Sequence, residues 1–379
     1  MVPELVALDL EQGDSLVAAG ESAWRAGDAV TVLDRRWGER TRQVALAALR
    51  PTVIIDDAGR RDVEGGLPSD EGDSLVVLTS GSLAEPKAAV LTLAAVAASA
   101  ALTSAALKID PSRHRWLCCL PSSHIGGLSV ITRALLSATP LEVLSRAEPD
   151  ALAAAARRGA THVSLVATTL SRIDPSSFEL ILLGGSAPPR ELPANVIATY
   201  GMTETGSGVV YDGRPLPGVA LAIDAADADG FGEILISSPT SLRAYRDRPA
   251  PMMTGPDGDN RWLRSGDLGR LDPTGRLEVR GRIAEVIVTG AEKVYPSDVE
   301  AVIAELPGVA EVAVWKRADL EWGERVVAWI VPHGEPPTLA ELRSEVAVLL
   351  GAYAAPKELE LVEALPRSPL GKLRRSLLS

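Results

Sequence analysis

Between residues 74 and 236 the short apolar runs SLVVLT, RWLCCLP, LEVL, HVSLV and FELILLGG alternate with Ala- and Leu-rich stretches at residues 93–107, 126–137 and 149–158. Brief apolar runs separated by longer helix formers are the pattern of a sheet covered by helices, which predicts an α/β layer with a largely parallel sheet. From residue 230 to 282 the texture changes to GEILISS and WLRSGDLGRLDPTGRLEVRGR, short strands joined by Gly- and Asp-containing turns, so a β-rich subdomain is predicted there. Residues 283–379 read as a compact α+β unit. In it PSDVEAVIAELPG and TLAELRSEVAVLL each open with a capping box, Ser297 with Glu300 and Thr338 with Glu341, while AEVAVWK and RVVAWIVP read as strands. The expected organisation is a large N-terminal domain over 1–282, made of parallel and mixed sheets with helices plus the β-rich part. A small, mobile C-terminal domain over 283–379 is hinged after Arg282.

Composition narrows the function classes. With 46% hydrophobic and 23% charged residues, the 379-residue chain is of globular type and can bury a sizeable core. A net charge of −12 argues against nucleic acid, whose phosphates call for clustered positive charge. No apolar run approaches the roughly 20 residues that span a bilayer. The Ala-rich segment at 91–107 is interrupted by Thr92, Ser99, Thr103 and Ser104. The acidic start MVPELVALDLEQGD lacks the cationic opening of a secretory signal, so a cytoplasmic location is expected. Cys118 and Cys119 are adjacent, and neighbours on a strand face opposite ways, which predicts core packing rather than a disulfide or a metal set. The oligomeric state is left open, a homodimer included.

Anionic ligands must then be met by local cations, and lysine is scarce, six against 32 arginines. Two of the six, Lys87 and Lys372, stand in turns rich in Gly, Ser and Pro. Lys87 lies in LTSGSLAEPKAAVLT (residues 78–92), which is not the common P-loop: Pro86 precedes the lysine where glycine is needed, and Ala88 follows where the metal-binding hydroxyl belongs. Thr79, Ser80, Gly81 and Ser82 offer hydroxyls and N–H groups, and Lys87 offers a point charge. Taken alone, the loop reads either as an anion cradle or as a solvated β-hairpin.

Three further motifs follow it in order: YGMTETGSG (200–208), WLRSGDLGRLDPTGRLEVRGR (262–282) and PRSPLGKLRR (366–375). Together with TSGSLAEPK they resemble the core motifs of the acyl-adenylate-forming superfamily, from about residue 74 to the C-terminus. The resemblance implies an AMP-forming acid–thiol ligase. Such an enzyme joins a small carboxylic acid to ATP with Mg²⁺, releases pyrophosphate, and passes the acyl group from AMP to a thiol such as coenzyme A. On this resemblance Thr79, Ser80, Gly81, Ser82 and Lys87 hold the β- and γ-phosphates, and Thr203 bonds the α-phosphate. Glu204 holds Mg²⁺, a hard cation that takes one carboxylate plus phosphate oxygens. Gly184, Gly185 and Ser186 let the backbone approach the adenine, Tyr200 also lines the nucleotide, and Asp267 with Arg282 meets the ribose. Lys372 bridges the attacking carboxylate and the α-phosphate, where negative charge gathers in the transition state.

Without the resemblance, Thr203–Glu204 is a helix start, SGDLG an ordinary turn and Lys372 a solvated lysine. The chain also departs from the family pattern. Leu83, Ala84 and Ala88 replace a Thr and two Gly, making the loop stiffer and one hydroxyl poorer. Ala284 stands where an acidic or lysine pivot is common, and the part before the loop is shorter than usual. These departures keep a degenerate nucleotide-binding protein in view as an alternative.

The stretch LPSSHIGGLSVITRALL (120–136) bears on the acid. His124 reads as a residue lining the carboxylate site, with a core histidine as the alternative. Arg133, nine residues later, has apolar neighbours in Ile131, Ala134, Leu135 and Leu136, and an unpaired buried charge is costly, so it needs a partner. The His-then-Arg spacing is similar to that of the o-succinylbenzoate–CoA ligases of menaquinone biosynthesis, whose substrate carries a second, non-reacting carboxylate. This resemblance implies His124, Gly127 and Arg133 as substrate contacts, with Arg133 on that second carboxylate. The alternative is another aryl- or acyl-CoA ligase, or a carrier-loading adenylation enzyme, in which Arg133 binds another anion or pairs with a protein carboxylate.

Overall fold

The computed structural model describes residues 2–79, 86–189, 191–255, 258, 261–367 and 373–378. The chain forms two compact units, Met1–Leu221 with Ile236–Arg264, and Ala222–Leu235 with Ser265–Ser379. It passes between them three times, within the strands Ala220–Asp224, Gly232–Ser237 and Arg261–Leu271. Arg282, after which a hinge was expected, lies inside the second unit.

The mixed α/β architecture is as expected. In the first unit a seven-stranded sheet runs in the order Ala244–Tyr245, Lys87–Thr92, Asp73–Thr79, Ala29–Val32, Leu5–Asp9, Val53–Asp56, Gly59–Asp62. Its middle is parallel, and Asp73–Thr79 turns back antiparallel into Lys87–Thr92. The α/β layer therefore begins at Leu5 rather than near residue 74. The early strands, LVALD, AVTV and VIID, are so short that only their tertiary pairing distinguishes them from the apolar residues of neighbouring helices. SLVVLT belongs to this sheet and not with the later runs.

Those later runs make a second seven-stranded sheet, ordered Arg214–Pro215, Ser207–Tyr211, Val196–Met202, Leu180–Leu183, His162–Leu165, Trp116–Cys118, Leu141–Val143. From Leu141–Val143 to Val196–Met202 every pairing is parallel. Leu117, Val163, Ile181 and Leu183 of these strands form one core with Leu152 and Ala155 of helix Pro149–Arg157, as a sheet buried under helices requires.

Helices Leu93–Ala106 and Ile125–Leu136 pack on each other, the first against the first sheet and the second against the second. Three of the four polar residues that interrupt the Ala-rich helix are hydrogen-bonded there, while the hydroxyl of the fourth, Ser104, is buried without a partner among the described residues. Thr92 accepts the amide of Ala95 at 3.2 Å, Ser99 bonds Ser207 at 3.3 Å, and Thr103 bonds the hydroxyl of Tyr211 at 3.0 Å. Among the described residues no helix is long and apolar enough to cross a membrane. Cys118 and Cys119 are free and buried; the thiol of Cys118 points at the carbonyl of Gly127 and that of Cys119 at the carbonyl of Ser164. Burial pushes both thiols up, Cys119 to about 12, so they are packing groups, as expected.

In the second unit Leu277–Arg282 pairs antiparallel with Arg261–Leu271, putting Asp267 opposite Arg282. A five-stranded sheet of Glu292–Val294, Ile287–Thr289, Gly323–Pro332, Val309–Asp319 and Glu358–Leu361 carries helices Pro296–Ile303 and Leu339–Leu350. Their shared core includes Ile287, Val299, Val314, Ala328, Leu342 and Val346. The capping box at Thr338 is present: its hydroxyl accepts the amide of Glu341 at 3.3 Å, and its own amide donates to the Glu341 carboxylate at 2.7 Å. The box expected at Ser297 is not. Pro296 takes the first helical position and moves the cap to Tyr295, so Ser297 lies inside the helix. Its hydroxyl donates to the carbonyl of Arg280 at 2.5 Å, while Glu300 accepts the amide of Val314 and the guanidinium of Arg375, each at 2.8 Å.

Candidate active site

Thr79 ends its strand directly opposite Lys87, so the two face each other at the mouth of a β-hairpin. Ser80, Gly81 and Ser82 lie outside the described residues, as do Leu83 and Ala84. Across the second sheet, Gly184–Ser186 follow strand Leu180–Leu183, and Tyr200, Thr203 and Glu204 come from the same end of its parallel neighbour Val196–Met202. The C-terminal ends of adjacent parallel strands are where open α/β sheets present ligand-binding loops. Backbone geometry there demands glycine: Gly185 has φ +89°, and a Cβ on Gly184 would lie 2.9 Å from the hydroxyl of Thr199. At Gly201, beside a bulge in the pairing, an added Cβ would come within 2.1 Å of the carbonyl of Ser207.

Thr203–Thr205 is a single 3₁₀ turn, not the start of a longer helix. The turn is locked by Thr205, whose hydroxyl accepts the amide of Met202 at 3.0 Å and donates to the carbonyl of Ser207 at 2.8 Å. This leaves Thr203 and Glu204 to other duties. Glu204 Oε1 accepts from the hydroxyl of Tyr245 at 2.9 Å. Lys87 Nζ lies over the same Tyr245 ring, 5.3 Å from its centroid. Tyr245 thus joins two motifs that stand far apart in sequence. Sequence reading missed it, because a single aromatic in LRAY carries no spacing signal; the pairing of Ala244–Tyr245 with Lys87–Thr92 brings it there.

His124 precedes helix Ile125–Leu136 and is half-buried. Burial lowers its pKa and Arg36 adds to this, while Asp34 opposes, so the imidazole is neutral at pH 7. Asp34 is itself buried; burial would raise its pKa, but bonds from Arg36 and from the Ser123 hydroxyl (3.2 Å) outweigh that and hold it below the usual carboxylate range. Asp34, Arg36 and Ser123 are a second set that the sequence did not reveal. Gly127 has a packing reason of its own: a Cβ there would lie 2.4 Å from the carbonyl of Leu120.

Arg133 is 2% exposed, with its guanidinium over the ring of Trp116 at 4.8 Å. Its Nε and Nη1, and the Nε1 of Trp116, are buried without hydrogen-bond partners among the described residues. Burial lowers the pKa of Arg133, with Tyr211 partly opposing. Trp116 also meets His162, edge-on at 5.3 Å, whose ring lies 4.5 Å from that of His114. Burial, with repulsion from His114, pushes His162 down to about 4. The unfolded chain therefore binds a proton that the folded one refuses, and stability falls as pH drops from about 6.5 towards 4. Denaturant titrations at pH 7, 5.5 and 4.5 should show this loss shrinking in His162→Phe, which has no proton to take up. An unchanged pH slope in that variant would remove His162 from the effect.

In the second unit Asp267, 7% exposed, is held by Arg282 Nε at 2.8 Å, so these two expected ribose contacts do lie together. Asp267 follows Gly266, whose φ of +70° turns its strand, and the Gly266 amide donates to Glu233 at 3.0 Å. Ala284 lies in the short turn Ile283–Glu285, and Glu285 pairs with Arg375 at 2.8 Å. Lys372 is outside the described residues. A cleft of about 380 Å³ in this unit is lined by Asp227, Arg280, Lys293, Tyr295, Asp298 and Tyr353 among others, and none of the expected site residues lines it.

The donor at Glu204 fits magnesium. Among the described residues no three His, Cys, Asp or Glu side chains are grouped to hold an ion. Glu204 has one oxygen fixed by Tyr245 and no other side-chain partner among those residues, which fits an ion that draws its remaining ligands from phosphate and water.

Family models place these geometries in context. Residues 67–246 match the AMP-binding enzyme family and residues 298–372 the AMP-binding enzyme C-terminal domain. The probable 2-succinylbenzoate–CoA ligase of Mycobacterium tuberculosis is 38% identical over 334 residues, covering 82% of this chain and 84% of the relative. The 2-succinylbenzoate–CoA ligase of Bacillus cereus is 32% identical over 332 residues, covering 79% and 68%. Among solved structures, the o-succinylbenzoate CoA synthetase of Bacillus subtilis in complex with its acyl-adenylate intermediate superposes with a TM-score of 0.86 at 26% identity, over 99% of this chain and 88% of the other.

Proposed function

The chain belongs to the AMP-binding enzyme superfamily of acyl-adenylate-forming ligases, and from that membership we propose that it activates o-succinylbenzoate with ATP and transfers it to coenzyme A, a cytoplasmic step of menaquinone biosynthesis. In the first half-reaction a carboxylate oxygen of the acid attacks the α-phosphorus, the bond to the β-phosphate breaks, and pyrophosphate leaves. In the second the thiol sulfur attacks the acyl carbon, AMP leaves, and the thiol proton goes to solvent.

Each residue has a task its chemistry can perform. Thr79, Lys87 and the hydroxyls and amides of residues 80–82 hold the β- and γ-phosphates. Thr203 donates to the α-phosphate, and Gly184–Ser186 with Tyr200 line the base. Asp267 accepts from the ribose hydroxyls beside Arg282, and Lys372 offsets the charge that builds between carboxylate and phosphate. Mg²⁺ held at Glu204 would neutralise phosphate charge. Neutral His124 lines the reacting carboxylate without forming a competing ion pair. The C-terminal domain over 283–379 is taken to move about residues 283–285, bringing Lys372 in for adenylation only.

The substrate assignment rests on Arg133. A guanidinium this buried, with two nitrogens lacking partners, calls for an acceptor from outside the described protein, and the second carboxylate of o-succinylbenzoate supplies one. The relatives named above bear the same substrate in their names. The test is AMP release across a panel of aryl and alkyl acids with coenzyme A present. Preference for o-succinylbenzoate over acids lacking either carboxylate is expected. A different preferred acid would reject the assignment, and no AMP release with any acid would point to a degenerate nucleotide-binding protein.

A further inference from the structure

Tyr245 is 7% exposed and sits on the two-residue strand at the edge of the first sheet, next to the strand that begins at Lys87. Its backbone is fixed on both sides, by pairing with Ala89 and by donation of its amide to the carbonyl of Arg248 at 3.0 Å. The amide of Leu242, three residues earlier, donates to the carbonyl of Glu204 at 2.7 Å. The segment therefore grips Glu204 twice, through its main chain and through the Tyr245 hydroxyl on its carboxylate. The Tyr245 ring meanwhile supports the ammonium of Lys87.

We propose that Tyr245 is a positioning residue that fixes one oxygen of Glu204 so that the other is presented to Mg²⁺, and that holds Lys87 towards the same phosphates. This rests on the nucleotide part of the reading above and not on which acid is used. A free glutamate samples several rotamers. Donation from a rigid phenol removes most of them, so the carboxylate is oriented before the metal arrives, in the way supporting hydrogen bonds orient metal ligands generally. The ring also spares Lys87 part of the ordering cost of its long side chain.

The two roles separate by substitution. Tyr245→Phe keeps the ring and removes only the hydroxyl, whereas Tyr245→Leu removes both. Calorimetric titration with ATP, without acid or thiol, at a series of Mg²⁺ concentrations reads each role directly. For Tyr245→Phe the Mg²⁺ concentration giving half-maximal ATP binding should rise about ten-fold, the usual consequence of losing a positioning partner of a metal ligand, while affinity for ATP without Mg²⁺ is unchanged. Tyr245→Leu should weaken ATP binding with and without Mg²⁺. In a Glu204→Gln background, Tyr245→Phe should have no further effect. A wild-type Mg²⁺ dependence in Tyr245→Phe, or equal weakening with and without the ion, would overturn the proposal, as would additivity with Glu204→Gln. If these binding results held but no preference for o-succinylbenzoate appeared, the substrate assignment would fall and the role of Tyr245 would stand.

Discussion

Lys372→Ala is expected to abolish formation of the acyl-adenylate yet to leave transfer from a supplied acyl-adenylate to coenzyme A largely intact. Negative charge accumulates where the substrate carboxylate meets the α-phosphate, and a cation aimed at that point acts on the transition state more than on the bound substrates. Removal of one such stabilising group costs about 10²–10³-fold in kcat. A lysine suits the place, since a compact point charge can sit between two oxygens of different groups, where a planar guanidinium would favour one of them. In the second half-reaction the charge arises at the thioester-forming carbon and the leaving AMP, and in the proposed two-arrangement scheme Lys372 has been carried away. ATP–pyrophosphate exchange measures the first half, and thioester formation from synthetic acyl-adenylate measures the second. Equal losses in the two would reject the two-arrangement scheme.

Arg133→Ala is the second large effect, and it discriminates between acids. On the proposed substrate assignment, loss of the guanidinium leaves the second carboxylate of o-succinylbenzoate in a buried site without its partner, a loss of about 1.5–3 kcal/mol for a charge-assisted hydrogen bond. That corresponds to roughly 10- to 150-fold in kcat/KM. Contact with the Trp116 ring holds the guanidinium in place, so the Nε and Nη1 donors, which lack partners among the described residues, leave little ordering cost on binding. An analogue without the aromatic carboxylate should lose far less, because it never used those donors. The comparison is kcat/KM for both acids on both proteins. Equal losses would mean that Arg133 supports Trp116 and the packing around it, and the substrate would have to be sought elsewhere.

Much of this was legible in the chain because it is encoded locally. The helices around residues 93–107, 126–137 and 149–158 follow from runs of helix formers, and Thr338 with Glu341 caps its helix because both partners lie within one turn. The identical pattern at Ser297 misled, since Pro296 moved the cap two residues earlier, to Tyr295, and a tertiary acceptor, the carbonyl of Arg280, took the hydroxyl. The N-terminal strands were unread for the opposite reason: runs as short as AVTV acquire their identity only from the neighbours they pair with.

The sequence by itself determined the family, the order of the motifs and the residue types able to meet phosphate, ribose and carboxylate, because those are properties of single residues and short spacings. Which side chains meet was decided only by strand register and helix packing. Lys87, Glu204 and Tyr245 converge because the strand beginning at Lys87 lies between Asp73–Thr79 and Ala244–Tyr245. Arg133 lies over Trp116, its Nε and Nη1 without partners among the described residues, because its helix is clamped between the Ala-rich helix and the second sheet. Such contacts join residues separated by long stretches of chain, and their free energy comes from burial that no local segment possesses until the sheets have formed.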